Sequence, residues 1–299
     1  MMIVFCLPQH RALLPRELDA DSVPALRQYR AGRFPDGELW AELDGSIAGE
    51  DCTVLGSLAP PDGQMLSTLM LADTLRREGA GRIVALLPYL GYARQDRAPA
   101  GRSLGAAWAG ALLAAVGVDE VVTVDIHSSS ARACFPVPVV SLSPASLFAA
   151  ALRRGSLADL TVVAPDEGAI ERCRAVADAA GLATPVAHLR KHRTTEGVVH
   201  TELVGGVGPR AVIVDDILDT GGTLLSACAS LRRAGVQEIS IMATHGTLSG
   251  ARWRDLPAAG ARRIQLTDTV PGVRARAGEA VEVLSITPLL MQALAASAA

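Results

Sequence analysis

The sequence has few aromatic residues: three Trp, three Tyr and four Phe, 3% of 299 positions. Its core must therefore be packed with small aliphatics, chiefly Ala, Leu and Val, drawn from a hydrophobic fraction of 49%. Cysteine is scarce too. Cys6, Cys52, Cys134, Cys173 and Cys228 are odd in number, scattered and never spaced C-x-x-C. That pattern argues against a disulfide framework or a zinc site and for a reducing cytoplasm. Net charge is nearly absent, with 28 Lys and Arg against 31 Asp and Glu giving −3. A near-neutral chain carries no electrostatic footprint for nucleic acid. Long hydrophobic runs are lacking as well. The charge-free stretch Ser103 to Val118 is shorter than the roughly 20 residues a spanning helix needs, so no membrane segment is read. Met1–Cys6 has no basic residue ahead of its apolar run and reads as a first buried strand rather than a signal peptide.

What is present is an alternation. Short β-branched runs at Cys52–Leu55, Arg82–Leu87, Glu120–Val124, Leu160–Ala164, Ala211–Val214, Glu238–Ala243, Arg263–Leu266 and Val281–Ser285 are separated by longer stretches of helical spacing. The strands are almost continuously apolar, as expected when both faces of a parallel sheet are covered. The fold class is therefore α/β, with mainly parallel sheets flanked by helices. The length allows two domains, and an internal echo supports them. Thr74–Ala80 followed by Ile83–Leu86 resembles Ser230–Val236 followed by Ile239–Met242, a helix stopped at Gly and then a strand. The expected boundary lies near Val140–Pro144, giving tandem domains over 1–142 and 143–299.

The most specific string is Ala211–Leu224. An apolar strand ends in Asp215 and Asp216, then Asp219-Thr220-Gly221-Gly222-Thr223 leads into a helix. Paired glycines let a ligand approach the backbone. The amides and dipole of the following helix attract an anion, and Thr220 and Thr223 add hydroxyls. The two acids repel a phosphate but suit sugar hydroxyls or a metal ion. As a bare pattern, the same residues could simply cap a helix.

This string resembles the fingerprint of the type I phosphoribosyltransferase fold. Six more follow the order of one family, the ribose-phosphate diphosphokinases (PRPP synthetases): Arg33–Glu38, Pro88–Arg97, Val124–Ser128, Ala164–Gly168, Lys191-His192-Arg193 and Ala243–Gly246. The resemblance implies two tandem phosphoribosyltransferase-like domains in a homo-oligomer. It implies transfer of the pyrophosphoryl group of ATP to the C1 hydroxyl of ribose 5-phosphate, with Mg²⁺, for nucleotide biosynthesis. It places ribose 5-phosphate on Asp215, Asp216, Asp219, Thr220, Gly221, Gly222 and Thr223. ATP falls to Arg94, Gln95, Asp96, Arg97 and His127, with Phe34, Asp36 and Glu38 reaching the adenine from a neighbouring subunit. Catalysis falls to Lys191 and Arg193, on a polar stretch, Lys191–His200, expected to be a mobile loop. The metal falls to His127 and Asp166, the latter having an ordinary alternative as a helix N-cap.

The chain departs from the family in three places, the mildest being Ala169, a small residue where the family's P-D-x-G-G string has its second Gly. Where the family carries Q-I-Q-G-F-F after the His, this chain reads Ser129–Phe135 and keeps only the final Phe. After Arg97 a longer charged loop is replaced by the short Ala98–Ser103. These departures put a separate ADP site in question. They also leave two other readings, a nucleobase phosphoribosyltransferase or a non-catalytic regulatory subunit.

Overall fold

The structure is a computed structural model that describes residues 2–18, 25–183, 185–194 and 197–298, with the backbone alone for 191–201 and 298. Contacts divide the chain into two compact units, Met1–Leu142 with Thr287–Ala299, and Ser143–Ile286.

The first unit holds β1 (Met2–Cys6), β2 (Ala25–Leu26), β3 (Tyr29–Arg33), β4 (Leu39–Leu43), β5 (Asp51–Leu55), α1 (Gly63–Arg77), β6 (Arg82–Leu87), α2 (Gly105–Ala115), β7 (Glu120–Val124), α3 (Ser129–Ala133) and β8 (Val139–Leu142). Its sheet runs β2-β1-β5-β6-β7-β8, parallel throughout. Strands β3 and β4 form a separate antiparallel hairpin. Helix α1 covers the sheet with Met65, Thr68, Leu69, Leu71, Ala72 and Leu75, whose spacing of three and four keeps them on one side. Burying a leucine such as Leu71 or Leu75 stabilises the fold by about 1.5–3 kcal/mol each.

The second unit holds α4 (Ala145–Leu152), β9 (Leu160–Ala164), α5 (Ile170–Ala180), β10 (Ala187–Thr194), β11 (Gly197–Val204), β12 (Arg210–Leu218), α6 (Gly222–Arg233), β13 (Glu238–Gly246), β14 (Ala261–Thr267), α7 (Val273–Ala277) and β15 (Glu282–Leu284). Its sheet runs β11-β10-β9-β12-β13-β14-β15, and only the β10–β11 pair is antiparallel. Strand β12 shows why its sequence is a continuous apolar run. Ala211 and Ile213 pack into one layer, with Leu224, Ala227 and Leu231 of α6. Val212 and Val214 pack into the other, with Cys173 and Val176 of α5. Both faces are dry, so alternation is replaced by continuity. The last helix, α8 (Thr287–Ala298), which the sequence reading leaves with residues 143–286, contributes its contacts to the first unit.

The internal echo is visible in the topology. Strands β1-β5-β6-β7-β8 repeat as β9-β12-β13-β14-β15, each set parallel and in the same order. Helices α1 and α6 occupy the same place in each repeat, after β5 and β12. The five cysteines are free, as expected. No described helix is long and apolar enough to cross a membrane.

Candidate active site

In the second unit the acids stand where a parallel sheet presents ligand sites, at the carboxyl end of a central strand. Asp216 is buried and its N–H donates to Asp215 Oδ1 over 2.9 Å. Burial, with the adjoining Asp216 carboxylate, holds the Asp215 carboxyl well above the usual carboxylate range. Arg172 of α5 pulls the other way, and Asp166 adds to the rise. Arg172 thus belongs electrostatically to this site, although no sequence string singled it out. The pair is a strained electrostatic arrangement that a cation or a set of hydroxyl donors would relax.

The loop that follows is shaped for an anion. Gly221 has φ +89° and caps α6 without any side-chain hydrogen bond. The first helical bond is Leu225 N–H to the Gly221 carbonyl, 2.9 Å. The amides of Gly222, Thr223 and Leu224 therefore precede the helical ladder, as helix-start amides do. Thr247, just past β13, donates its hydroxyl to Asp219 Oδ1 over 3.0 Å and was also not foreseen. The adjacent Ala243–Gly246 string was recognised, but nothing in its spacing announces a contact 28 residues away. Asp166 follows β9 and its Oδ1 accepts the Ala169 N–H, 3.2 Å. The capping alternative is thereby present at Asp166.

In the first unit the structure brings two of the sequence strings together. Ser128 caps α3 by accepting the Ala131 N–H, 2.9 Å, and donates its own proton to Asp96 Oδ2 over 2.5 Å. Arg97 Nη2 reaches Ser130 Oγ at 3.3 Å. The Arg94–Arg97 turn is thus tied to the segment carrying His127. Ser130, one of the departures from the family pattern, supplies part of the tie. Gln95 folds over the start of α2, so closely that a Cβ on Gly105 would meet its amide. Gly91 lets the same turn lie against Leu58, whose carbonyl a Cβ there would overlap. Tyr92 and Asp125 precede the two strings' polar residues with φ of 66° and 48°, backbone strain of the kind that clusters at ligand sites. Tyr92 is held by its hydroxyl on Asp62 Oδ1, 2.8 Å, and by an edge contact with Trp108, 5.1 Å between centroids.

The β3–β4 hairpin carries Phe34, Asp36 and Glu38 on its tip. Asp36 Oδ1 accepts the Glu38 N–H at 3.1 Å, and Phe34 and Glu38 pair through the backbone at 2.8 Å. Phe34 is 52% exposed, an unusual state for that side chain.

The expected mobile loop at Lys191–His200 is instead two strands. Residues 191–194 continue β10 and 197–200 open β11, paired Lys191 with His200 and Arg193 with Val198. The Lys191 and Arg193 side chains lie outside the described residues, as do Thr195 and Glu196. Composition adds a signal of its own. Lys191 is the only lysine in the chain, every other of the 28 cationic residues being Arg.

Among the described residues no three His, Cys, Asp or Glu are grouped to hold a metal ion. His127 and Asp166 belong to different units. This donor supply does not fit a site such as zinc's that relies on protein ligands alone. It fits a hard cation that keeps waters and phosphate oxygens among its ligands.

The comparisons with known proteins agree with one another. A family described as the N-terminal domain of ribose phosphate pyrophosphokinase matches residues 2–117. The phosphoribosyl transferase domain family matches residues 145–268. The ribose-phosphate pyrophosphokinase of Cereibacter sphaeroides is 34% identical over 278 residues, 90% of this chain and 82% of that protein. That of Chromobacterium violaceum is 36% identical over 276 residues, 90% and 84%. The crystal structure of phosphoribosylpyrophosphate synthetase from Mycobacterium smegmatis aligns with a TM-score of 0.85 at 32% identity, covering 99% of this chain and 98% of that one. On these matches and on the two-unit α/β fold, the chain belongs to the ribose-phosphate pyrophosphokinase family.

Proposed function

We propose that the protein transfers the β,γ-pyrophosphoryl group of ATP to the C1 hydroxyl of ribose 5-phosphate, giving PRPP and AMP for nucleotide biosynthesis. One observation carries the reading: a chain with a sugar-phosphate loop after β12 also ties the Arg94–Arg97 turn to the His127 segment through Ser128 and Ser130. A nucleobase phosphoribosyltransferase would need the loop but has no use for a second polar site of that kind.

The division of labour follows from the residues. The helix-start amides at Gly222–Leu224, with Thr220 and Thr223, hold the 5-phosphate. Asp215, Asp216 and Asp219 accept hydrogen bonds from ribose hydroxyls and so orient C1. Arg94, Gln95, Asp96, Arg97 and His127 hold the nucleotide, and Phe34, Asp36 and Glu38 complete that pocket from a neighbouring subunit of a homo-oligomer. Lys191 and Arg193 neutralise the charge that builds on the phosphoryl oxygens in the transition state. Transfer of this kind is catalysed by positioning and electrostatics more than by covalent chemistry. His127 and Asp166 are the residues that would each offer Mg²⁺ a ligand beside phosphate oxygens and waters, and the ion would screen the polyphosphate charge. The setting is the cytoplasm, with no membrane or nucleic-acid partner.

The test is AMP formation from ATP, followed by chromatography with each component omitted in turn. AMP must require ribose 5-phosphate and a divalent cation together. No AMP with any of several divalent cations refutes the reading. Pyrophosphate released from PRPP and a free base would replace it with the transferase.

A further inference from the structure

The phosphate loop has a neighbour that no sequence string includes. Past β13 the chain makes a short 3-10 turn over Arg252–Asp255, and this turn is pressed against the loop. A Cβ at Gly221 would lie 2.6 Å from the Trp253 Cα and 3.1 Å from its backbone nitrogen, so a glycine there is a condition of the contact. Trp253 is 2% exposed and carries the Arg254 guanidinium 4.6 Å from its ring centre. The wedge fixes the point from which Arg252 starts. Its Nη1 comes within 3.8 Å of the Cβ position of Gly222, the first residue of α6.

Arg252 is exposed, and among the described residues its guanidinium has no hydrogen-bond or ion-pair partner. The other arginines of this part of the unit are spent on the fold. Arg262 binds Glu238, Arg263 binds Glu282, Arg274 binds Asp268, and Arg276 binds the Pro271 and Gly246 carbonyls. An unspent guanidinium beside helix-start amides and a glycine turn has the chemistry of a phosphate clamp, because its planar fork matches two phosphate oxygens.

We propose that Arg252 is a further substrate-binding residue, closing over the 5-phosphate of the pentose seated on the Gly221–Thr223 loop and favouring phosphorylated over unphosphorylated pentose. The inference rests on the reading of that loop as the ribose 5-phosphate site.

The experiment compares wild type with Arg252→Gln and Arg252→Lys, using steady-state kinetics and calorimetric titration of ribose 5-phosphate without ATP. A charge-assisted hydrogen bond of this kind gives an expected loss of about tenfold or more. Arg252→Gln should therefore raise both the KM and the Kd for ribose 5-phosphate by about that factor. The KM for ATP should not follow, kcat at saturating sugar phosphate should change far less, and Arg252→Lys should recover part of the affinity. Equal ribose 5-phosphate Kd in wild type and Arg252→Gln overturns the proposal whether or not the enzyme turns over. A parallel rise in both KM values overturns it too, by assigning Arg252 to the fold. Absence of AMP from wild type would refute the proposed reaction, and the titration would still decide for or against Arg252.

Discussion

Single hydroxyls and carboxylates set the geometry of the proposed sugar site. Thr247 reaches Asp219 from the end of the next strand, and its Oγ also lies 3.5 Å from the Leu218 carbonyl. Thr247→Val keeps the shape and deletes the donor. A hydrogen bond to a charged group contributes about 1.5–3 kcal/mol, so the KM for ribose 5-phosphate should rise about tenfold while the KM for ATP holds. Thr247→Ser should restore most of it. Steady-state kinetics checks this, and an unchanged KM would remove Thr247 from the site. Asp215 is a different case. Its folded pKa lies above its unfolded value because of burial and Asp216. The native state keeps a proton that the unfolded chain releases. The resulting stability is complete below about pH 4, the ordinary carboxylate value, and is lost as pH rises through the folded value. Asp215→Asn should flatten the fall of Tm with rising pH and place the variant above wild type at neutral pH, by calorimetry without ligand. A variant that loses stability as steeply as wild type would contradict this. At this scale the Asp215–Thr223 string was readable because its residues are contiguous. Thr247, Arg172 and Arg252 were not, because adjacent strand ends and turns bring them in from distant positions.

Elements were legible where they bury apolar surface. Strands β5, β6, β7, β9, β12 and β13 contain the apolar runs the sequence placed, with β12 and β13 running on through polar residues to Leu218 and Gly246. The two hairpins were not legible as strands. Strand β3 reads Tyr-Arg-Ala-Gly-Arg, with no position fully buried, and the start of β11 follows the polar run after Lys191. Neither polar run carries a hydrophobic period that would mark it as a strand. The β3–β4 arm carries an exposed Phe34 at its tip, and exposed side chains contribute little to stability, usually within about 0.5 kcal/mol. Phe34→Ala should therefore leave Tm nearly unchanged while lowering activity. If the tip completes a neighbour's nucleotide pocket, Phe34→Ala and Lys191→Ala are defective in different subunits' contributions to one site. Dissociated, mixed and reassembled, the two impaired variants should exceed the sum of their separate activities, because some mixed sites carry neither defect. A mixture no more active than the sum of its parts would show that Phe34 does not act across subunits.

Across the whole molecule, a duplicated architecture has been used unequally. The turn after β12 keeps two acids and a Gly-Gly-Thr entry into α6. The equivalent turn after β5 reads Gly56-Ser57-Leu58-Ala59-Pro60-Pro61, with Leu58 and Ala59 buried. That turn has neither the carboxylates for a sugar nor the open glycine pair for a phosphate. The first unit's polar chemistry lies instead after β6 and β7, at the Arg94–Arg97 turn and the His127 segment. Duplication was readable from the repeated helix-Gly-strand pattern, because both copies need the same packing. The composition of the chain as a whole bears on the proposed catalytic cation. With Lys191 the only lysine, every structural cationic role is filled by guanidinium, and the one ammonium stands in the Lys-His-Arg string. A compact, rotatable ammonium and a planar fork are not equivalent at a transferring phosphoryl group. An amine-selective acylating reagent can therefore modify only Lys191 and the terminal amine. Peptide mapping of the modified protein against residual activity should show inactivation in proportion to Lys191 acylation, with ATP and ribose 5-phosphate together slowing both. Lys191→Arg, which keeps the charge, should lose kcat by orders of magnitude with the KM for ribose 5-phosphate little changed, the signature of an interaction made in the transition state. Full acylation at Lys191 with activity retained would exclude it from the chemistry and leave Arg193 as the string's catalytic cation.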